Sequence, residues 1–133
     1  MTLRAQPLVA GYARGEALHL EPLSFWGGVD PSTGCVVDPR HPQHGVSLSG
    51  RIMVMERLIG SSSGSSVLLE LIAAGKAPAA IILGEPDCIA TLGAIVARAM
   101  GLPTCPVALL PKDRFTELPA RFELHETGEL RPL

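Results

Sequence analysis

The sequence predicts a mixed α/β domain, a β/β/α arrangement with its helices in the later half. Three observations carry this. The opening stretch, Leu8 to Leu20, mixes apolar residues with glycines and shows no helical period. Two later apolar runs, Val67 to Ala74 and Cys88 to Met100, have capping residues in front and a glycine behind. Short continuous apolar segments stand between and after those runs, as buried strands do. A chain of 133 residues has room for one domain with its own core, so the whole of 1–133 is expected to form a single unit.

In chain order, Leu8 to Leu20 reads as extended structure, with Gly11 and Gly15 marking bulges or close backbone approaches. Glu21 to Gly45 is dense in Gly and Pro and holds the only Trp, which predicts a long, ordered loop. In that loop Phe25 and Trp26 serve as core anchors or dock on another subunit; composition leaves both open. Ser47 to Arg57 follows as a strand with Ile52, Val54 and Leu48 on one face. Gly60-Ser61-Ser62-Ser63-Gly64-Ser65-Ser66 then precedes a first helix from Val67 that stops at Gly75. Ala79 to Leu83 is a buried strand. Pro86 and Asp87 open a second helix, Cys88 to Met100, closed by Gly101 with Pro103 beyond. Pro106 to Leu110 and Arg121 to His125 complete the strands.

Composition narrows the function. A net charge of −2 and a pI near 6.0 remove the electrostatic case for nucleic-acid or anionic-membrane partners. No apolar run is long enough to span a bilayer. The mean hydropathy of +0.30 points to a strongly apolar core together with a face hidden against a partner chain. Three cysteines (Cys35, Cys88, Cys105) without a CxxC pattern, and no leader-like segment, predict a cytoplasmic protein with reduced thiols. His41 and His44 flank Pro42 with no third ligand in view, so they read as loop surface and no metal site is expected.

The serine cluster is the chemical feature. Strand, glycine turn, serines and helix together aim hydroxyls and backbone N–H groups at the positive end of a helix. That field suits an anion, or a serine alkoxide otherwise too basic to form. The plainer reading is that the serines only cap a helix. Gly60 to Gly64 has neither the GxGxxG spacing of a dinucleotide fold nor the Lys of a phosphate loop.

Three segments together resemble the small, swivelling subunit of the aconitase X family: Gly11 to Ala17, Leu23 to Pro31 with Thr33-Gly34, and Gly60 to Leu68. Gly93 to Ala97 with Gly101-Leu102-Pro103 is similar too. The resemblance implies a swivelling β/β/α domain with a β-barrel-like half and two main helices. It implies a hydro-lyase small subunit, active only beside a large subunit that carries an iron–sulfur cluster, with no cofactor in this chain. Cis-3-hydroxy-L-proline is the first substrate implied and mevalonate 5-phosphate the second; a non-catalytic anion-binding module is the alternative. By the family pattern Ser61 is the base, with Gly60, Ser62 and Ser63 about the substrate acid. Trp26, Gly27, Gly28 and Asp30 would form a loop toward partner or substrate. The chain departs from the pattern at Leu58-Ile59-Gly60, where Gly-Arg-Gly is usual, and so lacks a basic side chain there unless Arg57 replaces it. A further likeness, Thr91 to Pro103, is to phosphohistidine swivel domains. It puts Leu92 where the phosphate carrier would stand, which excludes that activity.

Overall fold

The structure, a computed structural model, describes residues 3–133; residues 1 and 2 of the expected unit lie outside them. Its elements are β1 Leu3–Arg4, β2 Gln6–Val9, β3 Ala13–Leu20, β4 Ile52–Met55, α1 Gly64–Ala73, β5 Ala80–Leu83, α2 Ile89–Ala99, β6 Val107–Leu109, a 3-10 turn Lys112–Glu117, β7 Arg121–Leu124 and β8 Glu129–Pro132. The strands form one sheet in the order β1-β8-β7-β3-β4-β5-β6-β2. Its two edges, β1 and β2, are consecutive in the chain and separated only by Ala5. Ala5 N–H donates to the Gly128 carbonyl at 2.8 Å at that corner. The sheet therefore comes close to closing into a barrel, which leaves little free edge.

Strand period two sorts the apolar residues into two cores. Ile52 and Val54 of β4, with Ala80 and Ile82 of β5, meet Phe122, Leu124 and Leu130 inside the barrel. Met53 and Met55, with Ile81 and Leu83, face the other way onto Leu68, Leu71 and Ile72 of α1 and Ala90, Ala94 and Ala97 of α2. All eight side chains of β4 and β5 are buried, as expected for central parallel strands with both faces covered. The outer core extends under the long loop, where Phe25, Val29, Val36 and Leu48 pack.

The β/β/α class, the barrel-like half and the two helices are as expected, but several details differ. The extended stretch breaks at Ala10–Tyr12 into β2 and β3. The mid-chain strand begins only at Ile52, and Leu48 belongs to the outer core rather than sharing the barrel face of Ile52 and Val54. Helix α1 begins three residues before Val67, and its N-cap Ser63 makes no side-chain cap bond. In α2 the N-cap residue is Cys88, and the first turn is held instead by Asp87 before it, whose carboxylate accepts from Ala90 N–H at 2.7 Å. His41, expected at the loop surface, is buried.

Candidate active site

The parallel strands β3, β4, β5 and β6 all end on one rim, at Leu20, Met55, Leu83 and Leu109. Ligands of open parallel sheets gather at this carboxyl end. The serine segment and the Trp26 loop both leave from it. They are joined by a parallel bridge between Leu23 and Leu58 and by Ile59 N–H donating to the Leu23 carbonyl at 3.0 Å. At Gly64, the first residue of α1, an added Cβ would stand 2.9 Å from Ile89 Cγ2, 3.5 Å from Phe25 Cβ and 4.0 Å from Trp26 N. The helix start is thus wedged between the Phe25-Trp26 backbone and the beginning of α2.

The five serines are not equivalent. Ser65 donates its hydroxyl to the Ile89 carbonyl at 2.8 Å and so ties α1 to α2. Ser66 donates to the Ser63 carbonyl at 3.0 Å, back into its own turn. Ser61 is half-buried, and its Oγ accepts from Ser63 N–H at 3.3 Å. Ser62 is exposed and Ser63 half-buried. Gly64 N–H donates to the Ser61 carbonyl (2.9 Å) and Ser65 N–H to the Ser62 carbonyl (3.3 Å), so these early donors of α1 are already engaged. The N–H groups of Gly60, Ser61 and Ser62 have no hydrogen-bond partner among the described residues. Three unpartnered backbone donors, the half-buried Ser61 hydroxyl and the positive end of a ten-residue helix therefore lie along one short segment at this rim. An N–H donated to Ser61 Oγ favours its charged form, and so does the helix end.

The neighbouring loop divides its aromatics. Phe25 is 1% exposed and anchors the core, whereas Trp26 is 61% exposed. Gly27 has φ +77°, where a side chain would be strained, and at Gly28 a Cβ would lie 2.1 Å from the Ser24 carbonyl oxygen, so that position admits none. Asp30 spends its carboxylate within its own turn, accepting from Ser32 N–H at 2.9 Å and Ser32 Oγ at 2.7 Å. Those bonds hold its carboxyl below the usual range. Arg57 is exposed, and Leu58 is buried at the bridge to Leu23.

Two features escaped the sequence. A cleft of about 320 Å³ opens on the same rim between His19, Glu21, Gln43, Glu56, Lys112 and Phe115. Lys112 pairs there with Glu56 at 3.1 Å, and Ser61 is not among the lining residues. At the opposite end of β3, Tyr12 donates to Glu123, holding that carboxyl below its usual range, beside His125. Neither group has a local motif, because each is assembled from strands far apart in the chain.

Among the described residues no group of three or more His, Cys, Asp or Glu side chains is placed to hold a metal ion. Cys35 is half-buried, Cys88 exposed and Cys105 buried. These residues do not fit an iron–sulfur cluster. No helix among the described residues is long and apolar enough to cross a membrane.

A barrel-like sheet with two helices on one side and a serine loop on its carboxyl rim defines a swivel-type domain. Residues 2–125 match the family described as the aconitase X swivel domain, and the chain belongs to that family. Over 139 residues it is 51% identical to a cis-3-hydroxy-L-proline dehydratase of Pseudomonas aeruginosa, covering 94% of this chain but only 24% of that protein. It is 47% identical over 98 residues to a phosphomevalonate dehydratase small subunit of Thermococcus gammatolerans, covering 73% of this chain and 75% of that one. The crystal structure of Thermococcus kodakaraensis aconitase X in its holo-form matches with a TM-score of 0.85 and 35% identity, over 100% of this chain and 98% of that one.

Proposed function

We propose that the chain is the small subunit of an aconitase X-type hydro-lyase, that Ser61 is its base, and that cis-3-hydroxy-L-proline is its substrate. The observation that supports this best is the setting of Ser61: half-buried, its Oγ accepting an N–H, beside three open backbone donors at the start of α1. The substrate preference rests on the longer and closer match to the Pseudomonas relative.

In this reading the open N–H groups of Gly60, Ser61 and Ser62 and the hydroxyls of Ser62 and Ser63 hold the substrate carboxylate. Ser61, as the alkoxide, takes the proton from the carbon bearing that carboxylate. The electron pair left behind forms the bond to C3, the C3–O bond breaks, and the departing hydroxide takes up a proton from solvent to leave as water while Ser61 later returns its captured proton to solvent. The resulting enamine tautomerises to Δ1-pyrroline-2-carboxylate. Trp26, exposed on the loop whose backbone packs against Gly64, helps to exclude water from the bound substrate. The resemblance implies an iron–sulfur cluster carried by the large subunit, which would supply a Lewis acid for the departing hydroxyl.

Mevalonate 5-phosphate is the second reading, supported by the 47% and 45% identity to phosphomevalonate dehydratase small subunits. The test is turnover of both substrates by the chain reconstituted with its large subunit. Ser61→Ala is expected to lower kcat by about a thousandfold or more with the subunits still associated. A loss below about tenfold in that intact complex would reduce Ser61 to a capping residue.

A further inference from the structure

We propose that the mouth of the barrel on the carboxyl rim is a binding site for a small zwitterionic amino acid, separate from the serine loop. The inference goes beyond the dehydratase reading and stands without it.

Two strands turn polar at this mouth. Strand residues alternate between the barrel and the outer side, so Ala13 and Ala17 of β3 and Ile52 and Val54 of β4 face the interior. The same alternation brings His19 and, one step past β4, Glu56 to the barrel side. An inward series of apolar residues thus ends on an imidazole and a carboxylate at the point where a cleft opens. Breaks of pattern at such a place mark functional sites. The cleft holds about 320 Å³. At about 30 Å³ per water that is the bulk of about ten waters, enough for a compact organic ligand.

Its walls are held from two sides. In the Lys112–Glu117 turn, Arg114 pairs with Glu117 at 2.8 Å, and Phe115 lies against Gly84, where a Cβ would stand 3.4 Å from the ring Cζ. Opposite, His41 bonds the Glu21 carbonyl, and the Gln43 side-chain oxygen accepts from Glu21 N–H. The Gln43 NH₂ group is thereby left to donate. The Glu21 carboxylate has no partner among the described residues.

The charges select the class of ligand. Lys112 and Glu56 pair at 3.1 Å, a largely exposed contact that contributes little to stability. A ligand with one charge would satisfy one of them and strand the other. A ligand with both charges opens the pair without leaving either unpartnered. Its carboxylate takes Lys112 and the Gln43 amide, and its ammonium takes Glu56, with Glu21 as a second acceptor. An α-amino acid joins both charges at one carbon, and a small apolar body suits Val54 and Phe115.

The test titrates the full chain with L-proline and follows the backbone amide NMR signals. Saturable shifts at His19, Glu56 and Phe115 are expected, with a Kd of about 1 mM or tighter. Pyrrolidine and cyclopentanecarboxylate keep the ring but only one charge each, and should bind at least about tenfold more weakly. Lys112→Met and Glu21→Gln each remove one charged hydrogen bond. Each is expected to weaken L-proline about tenfold with the folded spectrum retained. Lys76→Met, outside the cleft, should leave binding unaltered. Absence of saturation at about ten times the expected Kd overturns the site. Either single-charge probe binding as tightly as L-proline makes the mouth a plain ion site and overturns the ligand class. Shifts centred on Ser61, indifferent to Lys112→Met, assign the amino acid to the serine loop; that result overturns this site and leaves the Ser61 reading standing.

Discussion

The hydroxyl of Ser65 donates to the carbonyl of Ile89 at 2.8 Å, joining the first turn of α1 to the start of α2, 24 positions further along the chain. Close beside it, a Cβ on Gly93 would stand 2.8 Å from the Ser65 carbonyl oxygen and 3.3 Å from Leu68 Cβ. Helices α1 and α2 therefore cross in near backbone contact, and the serine loop inherits its position from that crossing.

Gly93→Ala separates two effects of opposite sign. In a free helix the change would stabilise by about 1 kcal/mol. Here the methyl meets a backbone oxygen that cannot yield without moving α1, so a net loss of about 1–3 kcal/mol is expected. Urea unfolding measures it. A variant as stable as wild type would show that the crossing has slack.

Ser61 and Ser66 form an internal contrast. Both hydroxyls lie near the start of α1, but Ser66 is committed to the Ser63 carbonyl and Ser61 accepts an N–H. Ser66→Ala in the assembled enzyme is expected to keep turnover within about threefold of wild type, while removing a back-bond that contributes little to the helix. A loss comparable with that of Ser61→Ala would move the base assignment away from Ser61.

His41 fastens the long loop to the rim. Its Nδ1 accepts from Gln43 N–H at 3.0 Å, which places the proton on Nε2 for donation to the Glu21 carbonyl at 3.0 Å. The Gln43 side chain accepts in turn from Glu21 N–H at 3.2 Å. His41→Ala leaves both backbone groups without these partners and is expected to cost about 1–3 kcal/mol. Limited proteolysis within residues 22–46 should accelerate accordingly; unchanged cleavage would mean the loop is held by its apolar anchors alone.

The helices and central strands were legible because their signals are local. Asp87 before α2 and the glycines after both helices, Gly75 at φ +72° and Gly101 at φ +78°, mark ends that the backbone itself requires. The strands Leu3–Arg4 and Glu129–Pro132 were not legible. Leu3–Arg4 is a two-residue edge strand held by pairing with Glu129–Pro132, which in turn pairs with β7, and Pro132 argues against a strand by propensity. Of the candidate site, the serine segment ahead of α1 was legible as a glycine-flanked run before an apolar stretch, while the role given to Ser61 rests on the resemblance alone. The placement of Trp26 against Gly64 was not, because it depends on a bridge between Leu23 and Leu58 across the whole long loop. Phe25 and Trp26, alike in composition, were separated only by the fold.

Cys105 gives the protein an alkaline limit. Its thiol is buried and donates to the Pro78 carbonyl at 3.5 Å, and burial pushes its pKa from 9.0 up to about 12. Between those values the unfolded chain has released a proton that the folded protein still holds. The stability this thiol confers is therefore complete below about pH 9 and is lost as the pH rises toward 12, by up to about 1.4 kcal/mol per pH unit. Cys105→Ala has no such proton. The stability difference between wild type and variant should fall steadily when urea unfolding is repeated from pH 8.5 to 10.5. A difference that stays constant over that range would show that Cys105 ionises alike in both states. Exposed Cys88 should meanwhile react with a thiol reagent in the native protein, and Cys105 only after unfolding.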